Sequence, residues 1–170
     1  LTITKAPLTL TAGSNTKEYD GTPLVSHALD STEGLQGQDR VVVETIQYTG
    51  SQLAPGSSDN KIVGGSVALV NGDGQSVTDN YNITLKDGKL TVTNDEKADR
   101  VITVKANPAE KVYDGTPLTN RDFQVTGDFL NSDAVDRAQV QVTGSQTFVG
   151  SSKNTVDASS VHIMNGKVDV

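Results

Sequence analysis

Reactive side chains are scarce in this chain, and their types decide which chemistries are open to it. There are no cysteines and two histidines, His27 and His162. A Ser-His-Asp relay needs a histidine as its base, so one of these two would have to serve. The serines sit in Gly- and Asn-rich turn clusters. They are not in the Gly-x-Ser-x-Gly elbow that exposes a nucleophile above a sheet. A thiolate metal site is excluded outright. Asn71-Gly72-Asp73-Gly74-Gln75, followed by Asp79 and Asn80, offers oxygen ligands for a hard cation such as calcium. It lacks the acidic spacing of an EF-hand loop. Lys17, Asp20 and Asn82 are the residue types that a Lys–Asn isopeptide crosslink would use, with the carboxylate moving protons. The expectation is a chain with no catalytic residues, no metal and no cofactor.

What the chain has instead of a reactive cluster is a repeat. Tyr19-Asp20-Gly21-Thr22-Pro23-Leu24 returns unchanged as Tyr113-Asp114-Gly115-Thr116-Pro117-Leu118, 94 residues later. The same offset carries Lys17 to Lys111, Thr49-Gly50-Ser51-Gln52 to Thr143-Gly144-Ser145-Gln146, and Gly56-Ser57-Ser58 to Gly150-Ser151-Ser152. Residues 8–76 lie over 102–170 without a gap, with 25 of 69 pairs identical, so one module is written twice. His27 faces Arg121, His162 faces Ala68 and Asp73 faces Lys167. Neither the histidines nor the acidic loop recurs, which weighs against both as shared sites.

The repeat sets the domain organisation. Residues 1–93 form the first module, in which Leu1–Thr4 reads like Leu90–Thr93 and looks like the tail of a preceding module. Residues 94–100 are the interdomain linker. Residues 101–170 form the second module, which has no equivalent of 77–93, so its sheet edge is expected to be open. Modules of this size bury a modest core. With aromatics at 4% and no Trp, that core must be aliphatic.

Thr, Ser, Gly, Asn and Val dominate, which is the vocabulary of strands and turns. Leu8–Thr11 and Ile102–Lys105 alternate with period two, as half-buried strands do. In the hexapeptide, Asp-Gly signals a turn with positive φ at glycine, Pro fixes the exit, and Leu24 turns inward. Tyr19 is expected over the core edge. Residues 13–18 are polar and lead to the hexapeptide, residues 30–39 and 73–79 read as loops, Gly56–Ser58 as a turn, and Val41–Tyr48 as a strand with Ile46 and Tyr48 inward and Val43 outward. Val67 and Leu69 mark another strand. Tyr81–Leu85 and Leu90–Thr93 flank Asp87-Gly88, which predicts a hairpin. Residues 128–139 support at most a short helical turn. The fold class is all-β, two tandem β-sandwich-like repeat domains; the alternative is a β-grasp-like fold with one short helix.

The run KEYDGTPL, then YTGSQ, then NYNITLKDGKLTVT, with the seam LTITKAPLTLT at 1–11, resembles the YDG/MBG-type tandem repeats of bacterial cell-surface, adhesin-like proteins. The resemblance implies an extracellular protein, cell-wall attached or secreted, of a Gram-positive bacterium, with stalk or adhesion roles. It brings no catalytic residue to this chain. A structural stalk or spacer that projects an adhesive or catalytic domain is the first expectation. A module recognising host or environmental glycan or protein is the second. The partners expected are neighbouring repeat modules, with host glycan or protein under the second reading. A net charge of −7 argues against nucleic acid and against direct contact with an anionic membrane.

Overall fold

The structure is a computed structural model, and it describes residues 1–94 and 100–170. The chain divides into two compact units, Leu1–Asn94 and Asp95–Val170. Most of the expected linker, 94–100, therefore lies outside the described residues. The fold is all-β. Among the described residues, helix is limited to single 3-10 turns such as Val43–Thr45 and Gly64–Ser66, so the β-grasp alternative has no helix to pack on its sheet.

Unit 1 holds nine strands: β1 (Ala6–Ala12), β2 (Asn15–Glu18), β3 (Leu29–Glu33), β4 (Arg40–Val41), β5 (Tyr48–Thr49), β6 (Gly56–Ile62), β7 (Leu69–Val70), β8 (Tyr81–Lys86) and β9 (Gly88–Thr93). One sheet runs β3-β1-β8 and a second runs β2-β9-β6-β5, with β4-β7 as a separate ribbon. The alternation of Leu8 and Leu10 on β1 turns both inward, where they are fully buried. They share one core with Ile46, Ile62, Val67, Leu69 and Tyr81. Leu24, Leu90 and Val92 form a smaller cluster, with Tyr19 packed against it.

The expected hairpin at Asp87-Gly88 does not form. β8 pairs in parallel with β1, and β9 pairs in parallel with β2. Ala6 faces Tyr81 and Asn15 faces Leu90, so one offset of 75 residues runs through both ladders. The two ends of the unit are thus a single parallel strand pair that leaves the first sheet for the second at Gly13 and Gly88. Glycine serves there for close approach rather than for a turn. A Cβ on Gly88 would lie 2.4 Å from the carbonyl oxygens of both Ala12 and Gly13.

Two other expectations, the loop at 30–39 and the turn at Gly56–Ser58, are corrected by pairing between residues far apart in the chain, and the same pairing gives residues 15–18 a structure the sequence had left open. Residues 15–18 are a strand because β9 lies beside them. Residues 29–33 are a strand because they pair antiparallel with β1. Gly56–Ser58 opens β6, facing Val92, Thr91 and Leu90. The stretch Val41–Tyr48 is not one strand. A 3-10 turn at Val43–Thr45 breaks it as the chain passes from β7 to β6 as partner. Its facing is as expected, with Ile46 buried and Val43 exposed.

Unit 2 contains β10 (Ile102–Ala106), β11 (Phe123–Gly127), β12 (Asp133–Val135), β13 (Val142–Thr143), β14 (Thr155–Val156), β15 (Ile163–Asn165) and β16 (Val168–Asp169). β11 is β3 moved by 94 residues, and β13 is β5 moved by the same amount. Among the described residues, unit 2 has no counterparts of β8 and β9. Residues 109–112, equivalent to β2, form no strand, and of the β6 equivalent only β14 remains. Gly-Ser-Ser is strand at 56–58 and not at 150–152. The sequence is the same; the partner strand is not there. Burial follows. Among the described residues, eleven of the thirteen buried apolar side chains belong to unit 1, and Val135 and Val142 belong to unit 2.

Candidate functional site

The repeated hexapeptide is a cassette of polar contacts built around one lysine. Lys17, placed by β2, donates from Nζ to Asp20 Oδ1 at 2.6 Å, to Thr22 O at 2.6 Å and to Thr22 Oγ1 at 2.7 Å. Asp20 Oδ1 also accepts from Thr22 N at 2.9 Å and from Thr22 Oγ1 at 2.7 Å. Gly21 takes φ 77°, which lets the chain reverse between the two partners. Pro23 carries no N–H, and the next residue, Leu24, exchanges backbone bonds with Gln52 at 2.8 and 3.0 Å. The Lys17 ammonium, together with the Thr22 donors, holds the Asp20 carboxyl well below the usual carboxylate range.

Unit 2 repeats the cassette. Lys111 Nζ donates to Asp114 Oδ1 at 2.7 Å and to Thr116 Oγ1 at 2.6 Å. Thr116 N and Oγ1 donate to Asp114 Oδ1 at 2.9 and 2.8 Å. Gly115 takes φ 79°, and Leu118 exchanges bonds with Gln146. Lys111 likewise leads the effects that hold Asp114 well below its usual range. One difference separates the copies. Tyr19 is half-buried against Leu24, Leu90 and Val92, whereas Tyr113 is 58% exposed. The expected seat over the core edge is therefore missing for the second tyrosine, because the two β9 side chains that make it are missing.

A second recurring device went unnoticed in the sequence. Asn60 is buried on β6 and donates from Nδ2 to Gly13 O at 2.9 Å and Ser26 O at 3.1 Å. Asn154 donates in the same way to Asn107 O at 2.9 Å and Asn120 O at 3.0 Å. Each brace ties the bend after the first strand to the segment before the next. Its signal was available, since Asn60 and Asn154 are one of the identical pairs at offset 94. Tyr81, by contrast, is particular to unit 1. Its hydroxyl donates to Asp39 Oδ2 at 2.6 Å and accepts from Gln36 N at 2.9 Å. Burial first, and Asp39 second, raise its pKa.

The remaining candidates are dispersed. Asn82 stands on β8 opposite Pro7, in the sheet that does not contain Lys17. Asn71 Oδ1 accepts from Asp73 N and Gln75 N, so that loop folds its oxygen onto its own backbone. Among the described residues, no group of three or more His, Cys, Asp and Glu is gathered for a metal ion. His27 lies 6.1 Å from the Tyr48 ring, and His162 Nδ1 lies 2.9 Å from Asp169 Oδ2. No helix among the described residues is long and apolar enough to cross a membrane.

Unit 2 also carries a groove of about 720 Å³, lined by Ala106, Pro108, Lys111, Leu118, Phe148 and Asn154 among others. In unit 1 the corresponding space, between β2 and β6, is filled by β9. Phe148 and Val149 at its rim are 75% and 91% exposed.

Compared with protein-family models, with curated proteins and with solved structures, the chain finds no match.

Proposed function

We propose that the chain is a non-catalytic spacer of a bacterial cell-surface protein, and that unit 1 is built to bear tension along its ends. The observation that carries this reading is the parallel pairing of β1–β2 with β8–β9 in one register. The chain enters unit 1 beside Tyr81 and leaves it beside Glu18, at opposite ends of the ladder. Tension applied through residues 5 and 94 therefore acts along the strands. All the interstrand hydrogen bonds are strained together, and none can open before its neighbours. A hairpin at this place would have opened one bond at a time.

The cassette supports the same reading. Lys17, Asp20 and Thr22 hydrogen-bond one another, and Lys17 also reaches the Thr22 carbonyl, contacts that fix the turn. Of the four tyrosines, Tyr81 is buried, Tyr19 and Tyr48 are half-buried, and only Tyr113 is exposed, so no stacked aromatic platform for sugar is assembled.

The test is single-molecule stretching with two attachment geometries. The chain has no cysteine, so K5C/N94C and K5C/D79C place handles selectively. The first pair loads the ladder along its length, and the second peels it from the end where Ala6 faces Tyr81. Forced unfolding reports the unfolding barrier in each direction. Rupture at several-fold higher force in the first geometry is expected. Equal forces would reject the load-bearing reading.

A further inference from the structure

We propose that Asn71 is a site of spontaneous modification, at which the loop it closes promotes loss of the side-chain amide as ammonia through a cyclic imide with Gly72. The dipeptide Asn-Gly occurs twice, at 71–72 and, 94 residues on, at 165–166. Glycine has no side chain to hinder approach to its own nitrogen, so by residue type the two sites are equal. The fold separates them. Asn71 Oδ1 accepts from Asp73 N at 3.1 Å and from Gln75 N at 2.8 Å. Both donors follow Asn71 in the chain, so its side chain is folded forward over the Asn71–Gly72 peptide. Two backbone N–H groups on one carbonyl oxygen are the arrangement that stabilises an oxyanion when the carbon beside it is attacked. Gly72 is exposed, and among the described residues its N–H has no hydrogen-bond partner. Asn71 Nδ2, the group that must leave, is held weakly, at 3.4 Å from Gln75 Oε1. Asn165 is placed for the opposite outcome. It stands on β15, opposite Asp133 and Val168, and its Nδ2 donates to Asp133 Oδ1 at 2.7 Å. There the leaving nitrogen is tied, and a carboxylate faces the group on which negative charge would develop.

The step balances without any co-reactant but water. Gly72 N gives its proton to hydroxide and bonds to Asn71 Cγ, and the C=O electron pair moves to Oδ1, between the N–H groups of Asp73 and Gln75. That pair returns as the Cγ–Nδ2 bond breaks, and Nδ2 takes up a proton and leaves as ammonia. Water then opens the ring, at Cγ to give aspartate, or at the main-chain carbonyl to give isoaspartate, in which the chain runs through Cγ. One water is consumed, one ammonia is released, one negative charge is gained and nothing is oxidised. Either product sets a second carboxylate two residues from Asp73. Isoaspartate also lengthens the main chain inside a loop closed by Asn71 N to Gln75 O at 2.9 Å and by Gly74 N to Asn71 O at 3.0 Å. This loop joins β7 to the turn that leads into β8, so the modification loosens that connection in unit 1.

The experiment is incubation of the full chain at mildly alkaline pH, in buffer and in guanidinium chloride. Peptide mapping follows both sites with time, and an isoaspartate-specific methyltransferase assay reports the rearranged product. In the folded chain Asn71 is expected to convert at least several-fold faster than Asn165. In guanidinium chloride the two rates should converge, because the loop and the Asp133 contact are both lost. The variant G72A separates attack by the backbone from attack by water. Its Cβ would lie 2.6 Å from Gln38 Oε1, the far end of a side chain that can move, and Gly72 is not among the glycines with positive φ, so the fold is kept. Conversion at 71 should slow several-fold in G72A while conversion at 165 is unchanged. Equal rates at the two sites in the folded chain, a difference that persists in guanidinium chloride, or undiminished ammonia loss at 71 in G72A would each overturn the proposal. It does not depend on the load-bearing reading, because no force is applied and the readout is chemical.

Discussion

Gly13 and Gly88 meet where the paired terminal strands of unit 1 change sheets, so close that a Cβ on Gly88 would lie 2.4 Å from Gly13 O. Gly88 is buried, and it is not among the glycines with positive φ. Two backbones turn the corner side by side here, and there is room for only one hydrogen at that position. Substitution G88V must push main chain, not a flexible side chain. We expect it to destabilise unit 1 by about 3 kcal/mol, at the upper end of overpacking costs. Unit 2 has no equivalent residue, so a chain with two resolved thermal transitions should lose only one of them. An unchanged melting profile would remove Gly88 from this role.

The hexapeptide glycines test a different cost. At Gly115 a Cβ would meet nothing within 4 Å, but φ is 79°. The penalty for G115V is backbone strain alone, about 1–3 kcal/mol. G21V at φ 77° adds burial to the same strain and should cost more. Urea titration of both variants checks the order. Equal small effects would show that the turn can relax.

Much of this was legible in the sequence, and the rest was hidden for a physical reason. The repeat offset located the cassette, the paired strands β3 and β11 aside, because turn chemistry is local. Positive φ at Gly21 and Gly115 and the inward Leu8 and Leu10 follow from short-range pattern, and the outward Val43 follows from the repeat, which puts Arg137 at its position. The parallel ladders join residues 75 apart, and no local pattern records that. Asp87-Gly88 between two alternating runs reads as a hairpin by every local rule. It is overruled because β1 and β2 are already waiting beside each run. Gly-Ser-Ser at 56–58 and 150–152 makes the same point, since identical residues take the structure their neighbours permit.

Acid should act through the cassettes. Asp20 and Asp114 take up protons less readily in the folded chain than in the unfolded one, because Lys17 and Lys111 hold them ionised. Their stabilisation is full above the ordinary carboxylate pKa of about 4 and is lost as pH falls below it. Melting temperature should therefore drop on acidification from about pH 5 to pH 2. D20N/D114N should flatten that slope and leave the neutral-pH fold in place. An identical slope in the variant would assign the acid sensitivity to other carboxylates.

The asparagine braces should be worth more in unit 1 than in unit 2. N60A leaves the carbonyls of Gly13 and Ser26 without the Nδ2 donor in a buried setting. Losing a donor to a buried acceptor costs about 1–3 kcal/mol, and two acceptors are affected. Asn154 is only half-buried, so water can replace it, and N154A should cost less. Hydrogen exchange at Gly13 and Asn107, read in the two variants, separates a local loosening from global unfolding.

The last expectation concerns residues 150–154. They carry the β6 sequence Gly-Ser-Ser and the brace Asn154, yet form strand only from Thr155 onward. Appending a copy of residues 77–93 after Val170 supplies what unit 1 has, a β8 equivalent for β10 and a β9 equivalent for the groove. The added leucine and valine would cover the exposed Tyr113, as Leu90 and Val92 cover Tyr19. Burying two such side chains contributes about 1.5–3 kcal/mol each before ordering costs. The amides of Ser151, Ser152 and Asn154 should become protected, and the melting temperature of unit 2 should rise toward that of unit 1. Unchanged exchange at these amides would mean that the absent strand partner is not what keeps residues 150–154 out of the sheet.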